Sequence, residues 1–339
     1  MNSPYRIALL VLYFGPLPPY FPVWLQSAQA NSDVDFLFYT DQEVQIDAPN
    51  FRVARLTLAE LQARFSKTLR RALFIPNGYK LCDYRPAFGL LFEEELRGYD
   101  FWGHCDIDLV FGHIRHFLTD EILSRYDRFY AYGPLSVYRN SEKMNHAFEL
   151  PGNWFTLDEM FGPLHVGADE FAGINRICVK NRISWYVEPD LAGVLIKMPP
   201  PVRLNVGHGC RNYPVQTFYY LNGRAFHRYL DGNVIKEDEV LYIHPLKMPF
   251  LPERPPRAGE AVVIASDALR ICPPEVLTPE NIRLWNPSES AWHAILYEIQ
   301  IRIPGYLSFL TGNLAFKKVW LKRKAFHILE VRLKKLPYP

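Results

Sequence analysis

Asp106 and Asp108 stand at i and i+2 around Ile107, directly after the apolar run FWGHC. Two carboxylates so spaced at the end of a strand turn toward solvent while the bulky residue between them stays with the sheet. They offer hard oxygen ligands to a divalent cation, Mn2+ or Mg2+, and a cation held there can also bridge the two phosphates of a nucleotide diphosphate. Such an ion offsets the negative charge that builds on a departing diphosphate. A bare D-x-D is also a common solvated turn, so the surrounding elements decide what it is worth.

Those elements read as a β-α-β opening. Ile7–Tyr13 is a continuous apolar run, as expected of a central strand buried on both faces, and it ends at Phe14 and Gly15. A short helix is expected over 22–30, a second strand over Asp35–Thr40 closing at Asp41, and a third over 51–56. Residues 58–65 and 86–96 read as helices, the second starting at Pro86 and stopping before Gly98. The strand that delivers Asp106 follows. In an open α/β sheet ligands gather at the carboxyl ends of the strands, so Tyr13, Phe14, Asp41, Asp106 and Asp108 are expected to line one crevice. Beyond it the pattern predicts strand and turn over 129–139, a helix over 169–179, a strand over 239–243 and a proline-rich connection over 249–256.

The stretch 79–86 (YKLCDYRP), the helical pattern after it and the D-x-D together resemble the pre-D-x-D region of GT-A glycosyltransferases. The segment 242–249 (YIHPLKMP) resembles the H-x-x-x-K segment of the same enzymes. Over roughly 5–250 the chain is also similar to a bacterial family from polysaccharide gene clusters with predicted glycosyltransferase activity. Three segments carry that likeness: 103–108 (GHCDID), 133–140 (GPLSVYRN) and Asp169-Glu170-Phe171.

The resemblance implies a GT-A, Rossmann-like α/β fold that binds a nucleotide-diphospho-sugar. It places Asp108 and His244 on the metal, with Asp106 meeting the donor ribose or the metal through water, and neutral imidazole suits manganese better than magnesium. Lys247 and Arg85 would supply point-charge and forked contacts to phosphate, with Lys80 and Asp83 also facing the donor. Tyr13 and Phe14 would meet the nucleobase and Asp41 the ribose, in a UDP-sugar by family precedent. Asp169 or Glu170 would take the proton of the acceptor hydroxyl in an inverting reaction, against the plainer reading of an acid pair at a helix start. The Pro245 after His244 departs from better-known families.

Composition agrees with a large folded core. Of 339 residues 49% are hydrophobic, and 15% are aromatic, including 20 Tyr and 23 Phe. Five single cysteines without C-x-x-C spacing argue against a disulfide framework and a zinc knuckle, and point to a reducing cytoplasm. No apolar stretch is long enough to span a membrane. The net charge of +2 hides an asymmetry: the tail 314–336 carries eight Lys or Arg against the single acid Glu330, so the rest of the chain is acidic. Interleaved with Val319, Phe326 and Leu329, that tail suits the anionic surface of a cytoplasmic membrane face and a glycan or lipid-linked acceptor. Nothing in the pattern suggests nucleic acid.

The expected organisation is therefore a catalytic domain over 1–250 (donor half about 1–115, acceptor half about 116–250), a connection over 251–280 and a helical basic appendage over 281–339. Two competing readings are a non-catalytic sugar- or nucleotide-binding relative and a haloacid-dehalogenase-like phosphatase. The latter expects its D-x-D near the start of the domain, whereas here a full β-α-β lead-in precedes Asp106.

Overall fold

In β1 (Ile7–Tyr13), Ile7, Leu9 and Val11 enter one core cluster while Ala8 and Leu10 enter another on the opposite face. Coverage on both faces is why the strand is apolar at successive positions and not alternating. The computed structural model describes residues 3–187, 193–196, 202–206, 211–245, 254 and 256–287, with 317 and 321 singly. β2 (Asp35–Thr40) pairs with β1 in parallel and β3 (Phe51–Arg55) with β2, while β4 (Phe101–Cys105) lies parallel on the other side of β1.

After β5 (Val110–Phe111), which leaves this sheet, β6 (Arg128–Phe129), β7 (Leu135–Arg139) and β8 (Trp185–Tyr186) complete the order β3-β2-β1-β4-β7-β6-β8. β7 runs antiparallel to both neighbours and β8 parallel to β6. The result is an α/β fold with a mixed, mostly parallel central sheet. Because the chain passes from β1 outward to β2 and β3 and then returns to β4 on the other flank, the carboxyl ends of β1 and β4 border a switch-point crevice.

Two helices match their sequence signals. Helix α1 (Phe21–Gln29) begins with Pro in its first turn, and α2 (Leu58–Leu69) starts on a capping box between Thr57 and Glu60. The predicted helix over 86–96 is different. Gly78–Ala87 is a 3-10 segment leading into a single α-turn, Phe88–Leu91. The side chains of Lys80, Asp83 and Arg85 in the 3-10 segment are bonded to distant loops. The helix expected over 169–179 starts later, at Ile174, so Asp169 and Glu170 lie in the turn before it.

The second half holds a sheet that the sequence pattern did not announce. β9 (Gly193–Ile196) and β10 (Val202–Val206) form a hairpin. β11 (Gln216–Leu221), β12 (Arg224–Asp231) and β13 (Val234–Val240) continue through β14 (Tyr242–Ile243), then β15 (Ala261–Ile264) and β16 (Leu269–Cys272). Five of these make an antiparallel sheet ordered β13-β12-β11-β15-β16. β15 and β16 fall in the stretch read as a connection, and they close the same sheet that 216–240 opens. Among the described residues no helix is long and apolar enough to cross a membrane.

β14 pairs with β5, Ile243 opposite Val110 and Tyr242 opposite Phe111, and so brings residues 242–244 beside the D-x-D. The join is close. A Cβ on Gly112 would lie 2.5 Å from the Val240 carbonyl oxygen. Buried Asn31 clamps the other side, donating to the Gly112 carbonyl at 2.9 Å and accepting from the Ile114 amide at 2.8 Å. Gly112→Val should therefore cost about 1–3 kcal/mol through overpacking, read by urea unfolding. Unchanged stability would mean that the join is loose.

Candidate metal centre

Past Cys105 the chain turns out of the sheet while Asp106 keeps one strand-like bond, its amide donating to the Pro134 carbonyl at 2.9 Å. Ile107 remains in the core, whereas Asp106 and Asp108 are half-buried. This is the arrangement expected of an i, i+2 acid pair. His244, which follows β14, brings its Nε2 to 3.2 Å from Asp108 Oδ1. One ligand atom from each of Asp106, Asp108 and His244 lies within 4.8 Å of the others, close enough for one cation to be shared.

Two features test that fit. Asp108 Oδ1 is buried and meets His244 Nε2, so two of the ligand atoms already point at one place. The donor set, two carboxylates and one imidazole, is one that manganese accepts. Burial raises the Asp106 carboxyl above its usual range against the pull of Arg85, with Asp108 adding to the rise. Burial works the same way on Asp108, but the adjacent His244 ring holds it below its usual value. Burial disfavours the charged His244 ring too, yet Asp108 raises its pKa.

Arg85 links the metal half to the opposite wall. Its Nη2 donates to Asp106 Oδ1, and its Nη1 donates to Asp169 Oδ2 and to the Gly133 carbonyl, both at 2.9 Å. The Gly133 amide in turn donates to Glu170 Oε1 at 2.8 Å, and a Cβ on Gly133 would stand 2.7 Å from that oxygen. Arg85 is thus committed to carboxylates and not turned toward an open phosphate pocket. Asp169 is buried, and burial pushes its carboxyl up to about 7 against Arg85, with Glu170 adding to the rise.

Lys80 and Asp83, expected to face a donor, lie beneath the site instead. Lys80 is 1% exposed and spends its ammonium on Asp83 Oδ2, the Met160 carbonyl and the Leu164 carbonyl at 2.8, 2.8 and 2.6 Å. Asp83 accepts from the amides of Val166, Gly167 and Ala168. Burial alone would raise its carboxyl, but His165 and Lys80 hold it at about 2. The pair fastens the loop that leads to Asp169, because a buried charge is tolerated only when its partners are provided.

On the β1 side, Asp41 Oδ1 accepts from the Gly15 amide at 2.9 Å and from Gln42 Nε2 at 2.8 Å, which pins the turn after Phe14. Gly15 has φ +102°, a left-handed conformation that glycine adopts freely. Tyr13 donates its hydroxyl to the Pro16 carbonyl at 3.1 Å and feels the Asp108 charge, so Tyr13, Asp41 and Asp108 share one neighbourhood. Lys247 and the basic tail, apart from Lys317 and Leu321, lie outside the described residues.

A family model described as a family of unknown function, DUF6625, matches residues 9–270. The chain belongs to the DUF6625 family. No curated protein matches it. Among solved structures, the DUF6625 chain is distantly similar to the apo form of the glycosyltransferase GlyE from Streptococcus pneumoniae TIGR4. That likeness has 12% identity and a TM-score of 0.25, covering 42% of this chain and 35% of that one. The chain thus spans about a third of that GlyE structure. Apo mouse xyloside xylosyltransferase 1 shows 8% identity and a TM-score of 0.34, over 56% of this chain and 87% of that one. Likenesses this distant carry no functional weight.

The DUF6625 match includes every residue of the acidic centre, and also site features that sequence reasoning missed. Tyr20 lies close enough for Asp108 to raise its hydroxyl pKa, after burial. Its one sequence signal is its place in the proline-rich loop after β1. The Gly133 carbonyl, an acceptor for Arg85, has no side-chain signal at all. Replacing Arg85 by Leu leaves Asp106 and Asp169 without their cation, and the expected loss is about 3–5 kcal/mol by urea unfolding. Excess manganese should recover part of it; a variant as stable as the parent would show the bridge to be incidental.

Proposed function

We propose that the chain is a metal-dependent glycosyltransferase. It moves a sugar from a nucleotide diphosphate donor, UDP-sugar by preference, to a glycan or lipid-linked acceptor in bacterial surface polysaccharide synthesis. One observation carries the reading: Asp106, Asp108 and His244 converge within 4.8 Å beside the crevice bordered by the carboxyl ends of β1 and β4. That is a site for a hard cation in a position where α/β sheets bind ligands.

Asp106, Asp108 and His244 would hold Mn2+ or Mg2+, which supplies neutralisation of the leaving diphosphate. Arg85 holds Asp106 and Asp169 at a fixed separation. Lys247, three residues beyond His244 in sequence, is assigned to the diphosphate, and Tyr13, Phe14 and Asp41 to the nucleoside. As the acceptor oxygen bonds to the anomeric carbon and the bond to the donor phosphate breaks, the hydroxyl proton passes to the carboxylate of Asp169 or Glu170. A carboxyl raised toward neutrality is the better proton acceptor at cellular pH. The tail 314–336 is assigned to an anionic membrane surface, which would set the site beside a lipid-linked acceptor.

The test is nucleotide release from a panel of sugar nucleotides with manganese, with and without EDTA. Turnover should require the metal and vanish in Asp108→Ala. Asp169→Asn or Glu170→Gln, whichever removes the base, should lower transfer about 10²–10⁴-fold while donor binding persists. Metal-independent turnover, or full activity in Asp108→Ala, would contradict the proposal.

A further inference from the structure

Arg128, on β6, faces the helix Ile174–Lys180, and its side chain is fully buried. A guanidinium in such a place normally faces a carboxylate. Here no carboxylate among the described residues lies within ion-pair distance of it. The neighbouring acid, Asp127, is taken by Arg139 and Lys143. Arg128 rests over the Trp185 ring at 4.7 Å and the Tyr138 ring at 5.3 Å, which attract the cation without neutralising it. Its Nη1 reaches Cys178 Sγ at 3.7 Å, and burial raises that thiol's pKa, so the sulfur stays protonated and brings no counter-charge.

Arg128 Nε and Nη2 and the Tyr138 hydroxyl are all buried and make no well-formed hydrogen bond, although Arg128 and Tyr138 lie close enough to interact with each other, which leaves the guanidinium charge unanswered. Arg128 and Tyr138 are cross-strand neighbours of the β6–β7 pair, so these groups lie side by side. On the same face both ring nitrogens of buried His104 are also unbonded. Buried donors rarely go unbonded, and an orphaned charge costs more than an orphaned dipole. Water would satisfy the donors and leave the charge; an anion answers both demands. We propose that Arg128 Nε and Nη2 and the Tyr138 hydroxyl bind a small inorganic anion, chloride, between β6, β7 and the helix Ile174–Lys180. The ion is structural: that helix follows the Asp169–Glu170 turn, and Asn175 on it donates to the Ala131 carbonyl at 2.8 Å.

Thermal unfolding tests this with chloride exchanged for gluconate at constant ionic strength. The melting temperature of the full chain should rise with the logarithm of chloride concentration, and bromide should substitute. Tyr138→Phe, which keeps the ring and removes one donor, should need roughly five- to tenfold more chloride for the same shift. Arg128→Met should melt at a temperature independent of either halide. A parent protein indifferent to chloride, or an Arg128→Met variant that responds as the parent does, overturns the proposal. Should Arg128→Met not fold, bromide-soaked crystals of the parent decide. An anomalous peak within hydrogen-bond reach of Arg128 and Tyr138 supports the site, and a water or no peak there refutes it.

Discussion

Carboxylates brought together where water is scarce repel one another strongly, and Asp106, Asp108 and Asp169 meet under that constraint. Much of what surrounds them answers it. Arg85 spans two of the three, and His244 stands against the third. Neither is near in sequence to all the groups it serves. The 3-10 segment that carries Arg85 must therefore run beneath the crevice, and the β5–β14 pairing must carry His244 to Asp108.

The same constraint separates two layers. Asp83 and Lys80 form a closed pair under the site, their bonding capacity spent on each other and on the backbone of the loop before Asp169. Asp108 is instead met by the ring of His244, itself one of the three groups placed around a shared cation. The closed layer fixes geometry and the open layer is left free to bind. Asn31 and Gly112 do for the metal side what Lys80 and Asp83 do for the opposite wall, securing the chain just after the acids.

How much of this was legible depends on how local the signal is. β1 shows as an unbroken apolar run because both its faces are covered, and the strand before Asp106 shows for the same reason. The acid pair was legible from spacing, and His244 through its resemblance to a known segment. Lys80 and Asp83 were misplaced because a buried ion pair and a ligand-facing one have the same residue types; only the partners at 160–168 distinguish them. The helix expected over 86–96 is only one α-turn long, and the carbonyls of Leu91 and Leu96 accept from the side chains of Arg64 and Asn140. The five-stranded sheet was hidden because β13 reads VIKEDEV, an exposed, charged strand with little apolar alternation.

The central claim is that Asp106, Asp108 and His244 form a cation site that binds a nucleotide diphosphate. Calorimetric titration of the full chain with UDP, first with manganese and then with EDTA, tests it most directly. The account predicts binding that requires manganese and is lost in Asp108→Ala, a variant that keeps the parent's circular dichroism. UDP binding unchanged by EDTA, or none in either condition, would contradict it.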